Sequence, residues 1–172
     1  DDLAYAGSLA KQVTGACAAL LVQDGALAVE DPVGAWLTGL PGWAQTVRVR
    51  HLLHHTAGLP GTDTVWQRMQ RAGEGDWTSD GVITALSTMT DLEHDPGAAY
   101  AYSNVGYVCL ARILERLSGL SLDHLARARL FEPLEPPGLV AIAPCVEIHD
   151  RDARGAQFTE QLRVTGAGLV QP

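Results

Sequence analysis

Two stretches of the chain carry a strong helical period. From Ser8 to about Gln23 the apolar residues Leu9, Val13, Ala16, Cys17, Leu20 and Leu21 recur at helical spacing, and Asp24-Gly25 closes the run. Asn104 to Ser118 repeats the pattern with Val105, Val108, Leu110, Ile113, Leu114 and Leu117, and Gly119 stands at its end. Weaker signals predict further elements. Ser79 is placed to cap a helix to about Met89, and Ser121 a helix over Leu122 to Leu130. His51 to Thr56 reads as a helical turn that ends at Gly58. Ala26 to Val29 reads as a short extended piece, and Val47-Arg48-Val49 alternates like a short strand. Pro60 to Thr78, rich in Gly, Asp, Thr and Trp, reads as a surface excursion. After Pro133 the chain turns loop-like and Pro-rich.

Composition narrows the class. The 172 residues are 47% hydrophobic and 19% charged, which marks a globular chain. A chain of this length buries about 70% of its extended surface as one domain. The net charge of −8 argues against nucleic acid or an anionic membrane as the main partner. No apolar run approaches the ~18 residues of a membrane span. Asp1 and Asp2 stand where a basic leader segment would begin, so the expectation is a cytoplasmic protein, with export behind a removed signal as the alternative. Cys17 and Cys109 fall on apolar helix faces and read as small core residues. Three widely spaced cysteines make neither a disulfide framework nor a zinc site.

The candidate chemistry begins with the single lysine, Lys11, three residues after Ser8 at the start of the first helix. Every other basic residue is an arginine. Arginine keeps its proton in proteins, whereas a buried lysine can release one and act as a base. Three residues is nearly one helical turn, so Ser8 and Lys11 share a face, as a serine nucleophile activated by a lysine requires. A second constellation is Tyr102-Ser103-Asn104, where a loop enters the second strong helix. Asn104, the only asparagine, suits an N-cap. Alternatively it orients Lys11 or binds a substrate amide. Tyr102 is either a core aromatic or a phenol that relays a proton beside a lysine. His51 and His55 have a spacing of four, but Leu52 follows His51, so the H-E-x-x-H zinc motif is not met. Ala10 stands where a G-x-S-x-G elbow needs its second glycine. No metal and no cofactor are expected. Trp36, Trp43, Trp66 and Trp77 suit core or rim positions, although Trp66 and Trp77 lie in a segment that would edge a substrate cleft.

These motifs resemble the serine β-lactamase and penicillin-recognising hydrolase superfamily, in its class C-like branch of esterases, D-aminopeptidases and DD-peptidases. Ser8-Leu9-Ala10-Lys11 matches its S-x-x-K motif and Tyr102-Ser103-Asn104 its Y-x-N motif. Leu27 to Leu37, Val47 to Pro60 (VRVRHLLHHTAGLP), Tyr102 to Gly119 and Leu130 to Leu134 resemble the intervening text, so the likeness covers most of residues 3 to 134. It implies an α/β fold of the α+β type, β-lactamase/transpeptidase-like, with residues 1–172 as one partial domain. The helical lobe would be present and part of the antiparallel sheet missing. It implies that Ser8 is the nucleophile that forms an acyl-enzyme and Lys11 its base. Tyr102 would handle the leaving-group proton and Asn104 would contact substrate. The Ser8 N–H would form one half of an oxyanion hole.

The third motif of the family, K-T-G or H-x-G, is not found. Val164-Thr165-Gly166 has Val where the cation belongs, and its surroundings look more like the Gly-rich stretch before that motif. The expected function is therefore a serine hydrolase acting on an ester or amide, with esterase or D-amino-acid peptidase action ahead of β-lactamase action. The alternatives are an impaired penicillin-binding-like sensor, or a fragment without function of its own. The expected partner is a small molecule or short peptide; the sequence sets no oligomeric state.

Overall fold

The computed structural model describes residues 7–134 and, beyond them, the backbone of four short strands. A 3-10 turn over Gly7–Leu9 leads into α1, Ala10–Gln23. Four helices follow: α2 (Val49–Leu53), α3 (Thr62–Arg71), α4 (Ser79–Ser87) and α5 (Asn104–Ser118). A short α6, Leu122–Ala126, runs on into a π-type turn over Arg127–Phe131. The strands are β1 (Leu139–Val140), β2 (Pro144–Val146), β3 (Glu160–Leu162) and β4 (Thr165–Gly166). They pair antiparallel, β1 with β4 and β2 with β3. The registers Val140↔Thr165 and Cys145↔Gln161 nest one pair inside the other along the chain.

Helix α5 is the hub, packed against α1, α2, α3, α4 and α6. Its sequence explains that position. Val105, Gly106, Val108, Cys109, Leu110, Ala111, Ile113 and Leu114 are all buried, more than one amphipathic stripe supplies. Each fully buried Leu or Ile contributes about 1.5–3 kcal/mol relative to exposure. Ser103 caps the helix, its Oγ accepting from the Gly106 N–H at 2.9 Å. Gly119 ends it in the left-handed region at φ +71°, where glycine carries no Cβ penalty. The two strong helices therefore form where the apolar period predicts them, and Asp24-Gly25 closes α1.

Several weaker expectations are corrected. Pro60 to Thr78 is not only a surface excursion: it contains α3, whose Val65 and Met69 are buried, and it ends at the fully buried Trp77. Polar composition hid a two-residue apolar stripe. Ser79 is the first residue of α4, not its cap; the Thr78 side chain accepts from the Gly81 N–H at 3.0 Å. Val47 to Val49 is no strand, since α2 starts at Val49 and only a single bridge joins Pro32 to Arg48. Ala26 to Val29 is turn and coil, because the chain must reverse after α1 within a few residues. The third helix covers the expected Leu122 to Leu130, but changes from α to π type after Ala126. Beyond Pro133 the backbone includes β1 to β4 instead of loop alone; two- and three-residue strands carry too little alternation to be read.

Candidate active site

Ser8 lies on the turn that feeds α1 and is exposed. Gly7 before it has φ +51°, a left-handed bend that a glycine makes without strain. Lys11, in the first turn of α1, is only 7% exposed. The lysine is thus held inside the fold while the serine faces out.

Tyr102 is delivered from the far side by a strap over residues 93–101. The strap lies along residues 55–61 through backbone hydrogen bonds from Glu93 to the Gly58 carbonyl at 2.7 Å and from Gly97 to the Thr56 carbonyl at 2.8 Å. A third runs from Ala101 to the His55 carbonyl, also at 2.8 Å. The Glu93 carboxylate accepts from the Gly61 N–H at 2.7 Å. Beyond the strap, the Ser103 N–H donates to His55 Nδ1 at 3.1 Å. Tyr102 is therefore fixed between the strap and the capped start of α5.

The outcome is a direct contact between the two motifs. Ser8 Oγ and Tyr102 OH are 2.6 Å apart, a hydrogen bond between residues 94 positions apart in sequence. Lys11 Nζ stands 5.1 Å from the centre of the Tyr102 ring and 5.7 Å from that of Tyr107, within cation–π range of both. Three of the four residues singled out in the sequence thus meet. Asn104 is the first residue of α5 and half-buried; the N-cap expected of it is Ser103.

Two neighbours were not read from the sequence as parts of this site. The His55 ring packs against Tyr102 and Tyr107, with centroids 4.7 and 5.0 Å away, and makes an edge-to-face contact with Tyr100 at 5.9 Å. Tyr107 also donates to the Leu53 carbonyl at 3.2 Å. The signal available was spacing: Tyr107 follows Asn104 by one helical turn, on the side that faces back toward α2. Burial, then the charges of Lys11 and His54, lowers the His55 pKa below the usual histidine value. His51 is lowered as well, by burial first and then by Arg50, Arg48 and His54. Its Nδ1 accepts from the Arg48 N–H at 3.1 Å, so its function is to cap α2. Burial raises the thiols instead, Cys17 to about 11 and Cys109 to about 12, so neither offers a thiolate at neutral pH. Among the described residues no group of three or more His, Cys, Asp and Glu side chains could hold a metal ion. Trp77 is a core residue at 1% exposure, and the half-buried Trp66 packs against it at 6.2 Å between centroids. Val164 lies outside the described residues. Thr165-Gly166 forms β4 and pairs with β1, whereas the strand packed against the Ser8 turn is β3.

The family model described as Beta-lactamase matches residues 1–161. The chain belongs to the beta-lactamase family. Its relatives include Penicillin-binding protein 4* of Bacillus subtilis (strain 168), 36% identical over 73% of this chain and 28% of the relative. Penicillin-binding protein 4 of Amycolatopsis lactamdurans is 34% identical over 78% of this chain and 35% of the relative. Among solved structures, D-amino acid amidase from Ochrobactrum anthropi SV3 superposes with a TM-score of 0.65 at 29% identity, covering 81% of this chain and 41% of that one. The chain thus spans about a third of the length of these curated relatives. Among the described residues no helix is long and apolar enough to cross a membrane.

Proposed function

We propose that the protein is a serine hydrolase that cleaves an ester or amide through an acyl-enzyme on Ser8. The 2.6 Å contact between Ser8 Oγ and Tyr102 OH, beside the buried Lys11, carries this reading. Ser8 Oγ attacks the carbonyl carbon as its proton passes to Tyr102, which acts as the phenolate and becomes the phenol. The Lys11 charge beside the Tyr102 ring stabilises the negative charge involved. The carbonyl oxygen takes up the displaced electron pair and is met by the Ser8 N–H at the start of the helical turn, where backbone donors have no partner within the helix. Collapse breaks the bond to the leaving nitrogen or oxygen, which receives the proton held by Tyr102. Water then attacks the ester on Ser8, returns a proton to Oγ and releases the acid. Asn104, at the first position of α5, contacts the substrate.

The substrate class proposed is a small ester or an amide of a D-amino acid, ahead of a β-lactam. The likeness to a D-amino acid amidase supports it. So does the exposed surface of Leu9 (61%), Tyr100 (70%) and Tyr102 (51%) on the turn and strap, which suits an apolar side chain. Hydrolysis of a nitrophenyl ester, D-phenylalanine amide and a penicillin tests this. The expected order is ester and D-amide above penicillin. Tyr102→Phe is expected to lower turnover of the accepted substrates by 10²-fold or more, on the order of a lost acid–base group. Stable acylation by penicillin without turnover of any substrate would instead support the sensor reading.

A further inference from the structure

We propose that His55 is a positioning residue for this reaction, holding Tyr102 against Ser8 through the contact between its Nδ1 and the Ser103 N–H. The inference rests on the catalytic reading of Ser8 and Tyr102. His55 grips the segment carrying Tyr102 at two points. Its carbonyl accepts from Ala101, on one side of Tyr102, and its Nδ1 accepts from Ser103, on the other. Its ring lies against the Tyr102 ring and against that of Tyr107.

The backbone shows how firmly this geometry is imposed. His55 has φ +56°, the only non-glycine residue of the described chain in the left-handed region. That conformation disfavours a residue with a Cβ, so surrounding contacts must hold it. Here they are the bond from the Thr56 N–H to the His51 carbonyl at 2.8 Å and the strap itself. The left-handed bend leaves the helical path of α2 and lets one residue present both its carbonyl and its ring to the Tyr102 segment.

The contact also fixes a protonation state. Only an unprotonated Nδ1 can accept from the Ser103 N–H, so the neutral ring carries its proton on Nε2. The groups facing the ring are Lys11 from α1, Tyr100 and Tyr102 from the strap, Tyr107 from α5, and the adjacent His54. None is a carboxylate that would favour imidazolium. Protonation would set two donors against each other and place a second cation near Lys11.

The test uses the protein carrying this chain, a fluorophosphonate probe of Ser8, and the variants His55→Ala and His55→Asn. Asn tolerates the left-handed region, and its side-chain oxygen can accept from Ser103. His55→Ala is expected to lower the labelling rate by about 10²-fold, as a displacement near 1 Å does in a preorganised site, while the variant keeps a folded circular dichroism spectrum. His55→Asn is expected to retain most of the rate. In the wild type, labelling falls as pH drops below histidine's ordinary 6.5, through the lowered His55 value; in His55→Asn that limb is gone. Equal rates in all three proteins, equal losses in both variants, or an acid limb unchanged in His55→Asn would each overturn the proposal. Resonances of the His55 ring nitrogens and the Tyr102 ring give a readout free of activity. An unprotonated Nδ1, with Tyr102 signals displaced in the Ala variant alone, supports positioning even if Ser8 proves unreactive. A protonated Nδ1 contradicts it.

Discussion

The division of labour between Ser8 and Lys11 is set by burial. Their three-residue offset places both at the start of one helix, yet Ser8 is exposed and Lys11 is 7% exposed. A lysine there holds its Nζ 5.1 Å from the centre of the Tyr102 ring, inside the fold. Another single residue controls how the second half of the site is held. Gly58 has φ +71°, and a Cβ added to it would stand 2.0 Å from the His94 carbonyl oxygen. Backbone there cannot swing away as a side chain could, because the adjacent Glu93 N–H bonds to the Gly58 carbonyl. Gly58→Ala is therefore expected to exceed the left-handed penalty of about 1–2 kcal/mol and to lower the melting temperature by several degrees. An unchanged melting temperature would show that the strap is not seated on residues 55–61 as described.

Helix α5 links the core to the chemistry. Its buried face holds five other helices together, and its first turn carries the residues that follow Tyr102. The capping contact of Ser103 fixes where that first turn begins, so the cap bears on Tyr102 and Asn104 at once. Ser103→Ala is expected to cost about 1 kcal/mol, the usual value of an N-cap, and Ser103→Asp to recover most of it. Urea unfolding of the two variants measures the difference; no loss in the Ala variant would show that the cap is not needed. The elements legible in the sequence were those with long apolar periods. Helices α1 and α5 follow from them nearly residue by residue. Helix α3 was not legible, because its contribution to the core is Val65 and Met69 within a polar, Gly-flanked stretch. The one-residue shifts of both caps, to Thr78 and Ser103, have a common cause. Adjacent residues that could each cap are separated only by the backbone angle that tertiary packing selects.

At the scale of the whole molecule, the sequence motifs carried the family and three residues of the candidate site, and the fold supplied what joins them. Ser8 and Lys11 are local partners, visible from spacing alone. The contact with Tyr102 spans 94 positions and depends on the strap, whose backbone bonds leave no periodic trace. The sequence did not place His55 in this site, because its left-handed backbone and its contacts with Tyr102 and Tyr107 exist only in three dimensions. The beta-lactamase family membership fits a helical portion that presents a serine, a lysine and a tyrosine together, while the chain covers about a third of its curated relatives. The central claim is that this assembly activates Ser8. The most direct test is the intact-protein mass after incubation with a fluorophosphonate, for the wild type and for Ser8→Ala. The account predicts one adduct on the wild type and none on the variant. A folded wild type without an adduct, or an adduct that persists in Ser8→Ala, would contradict it.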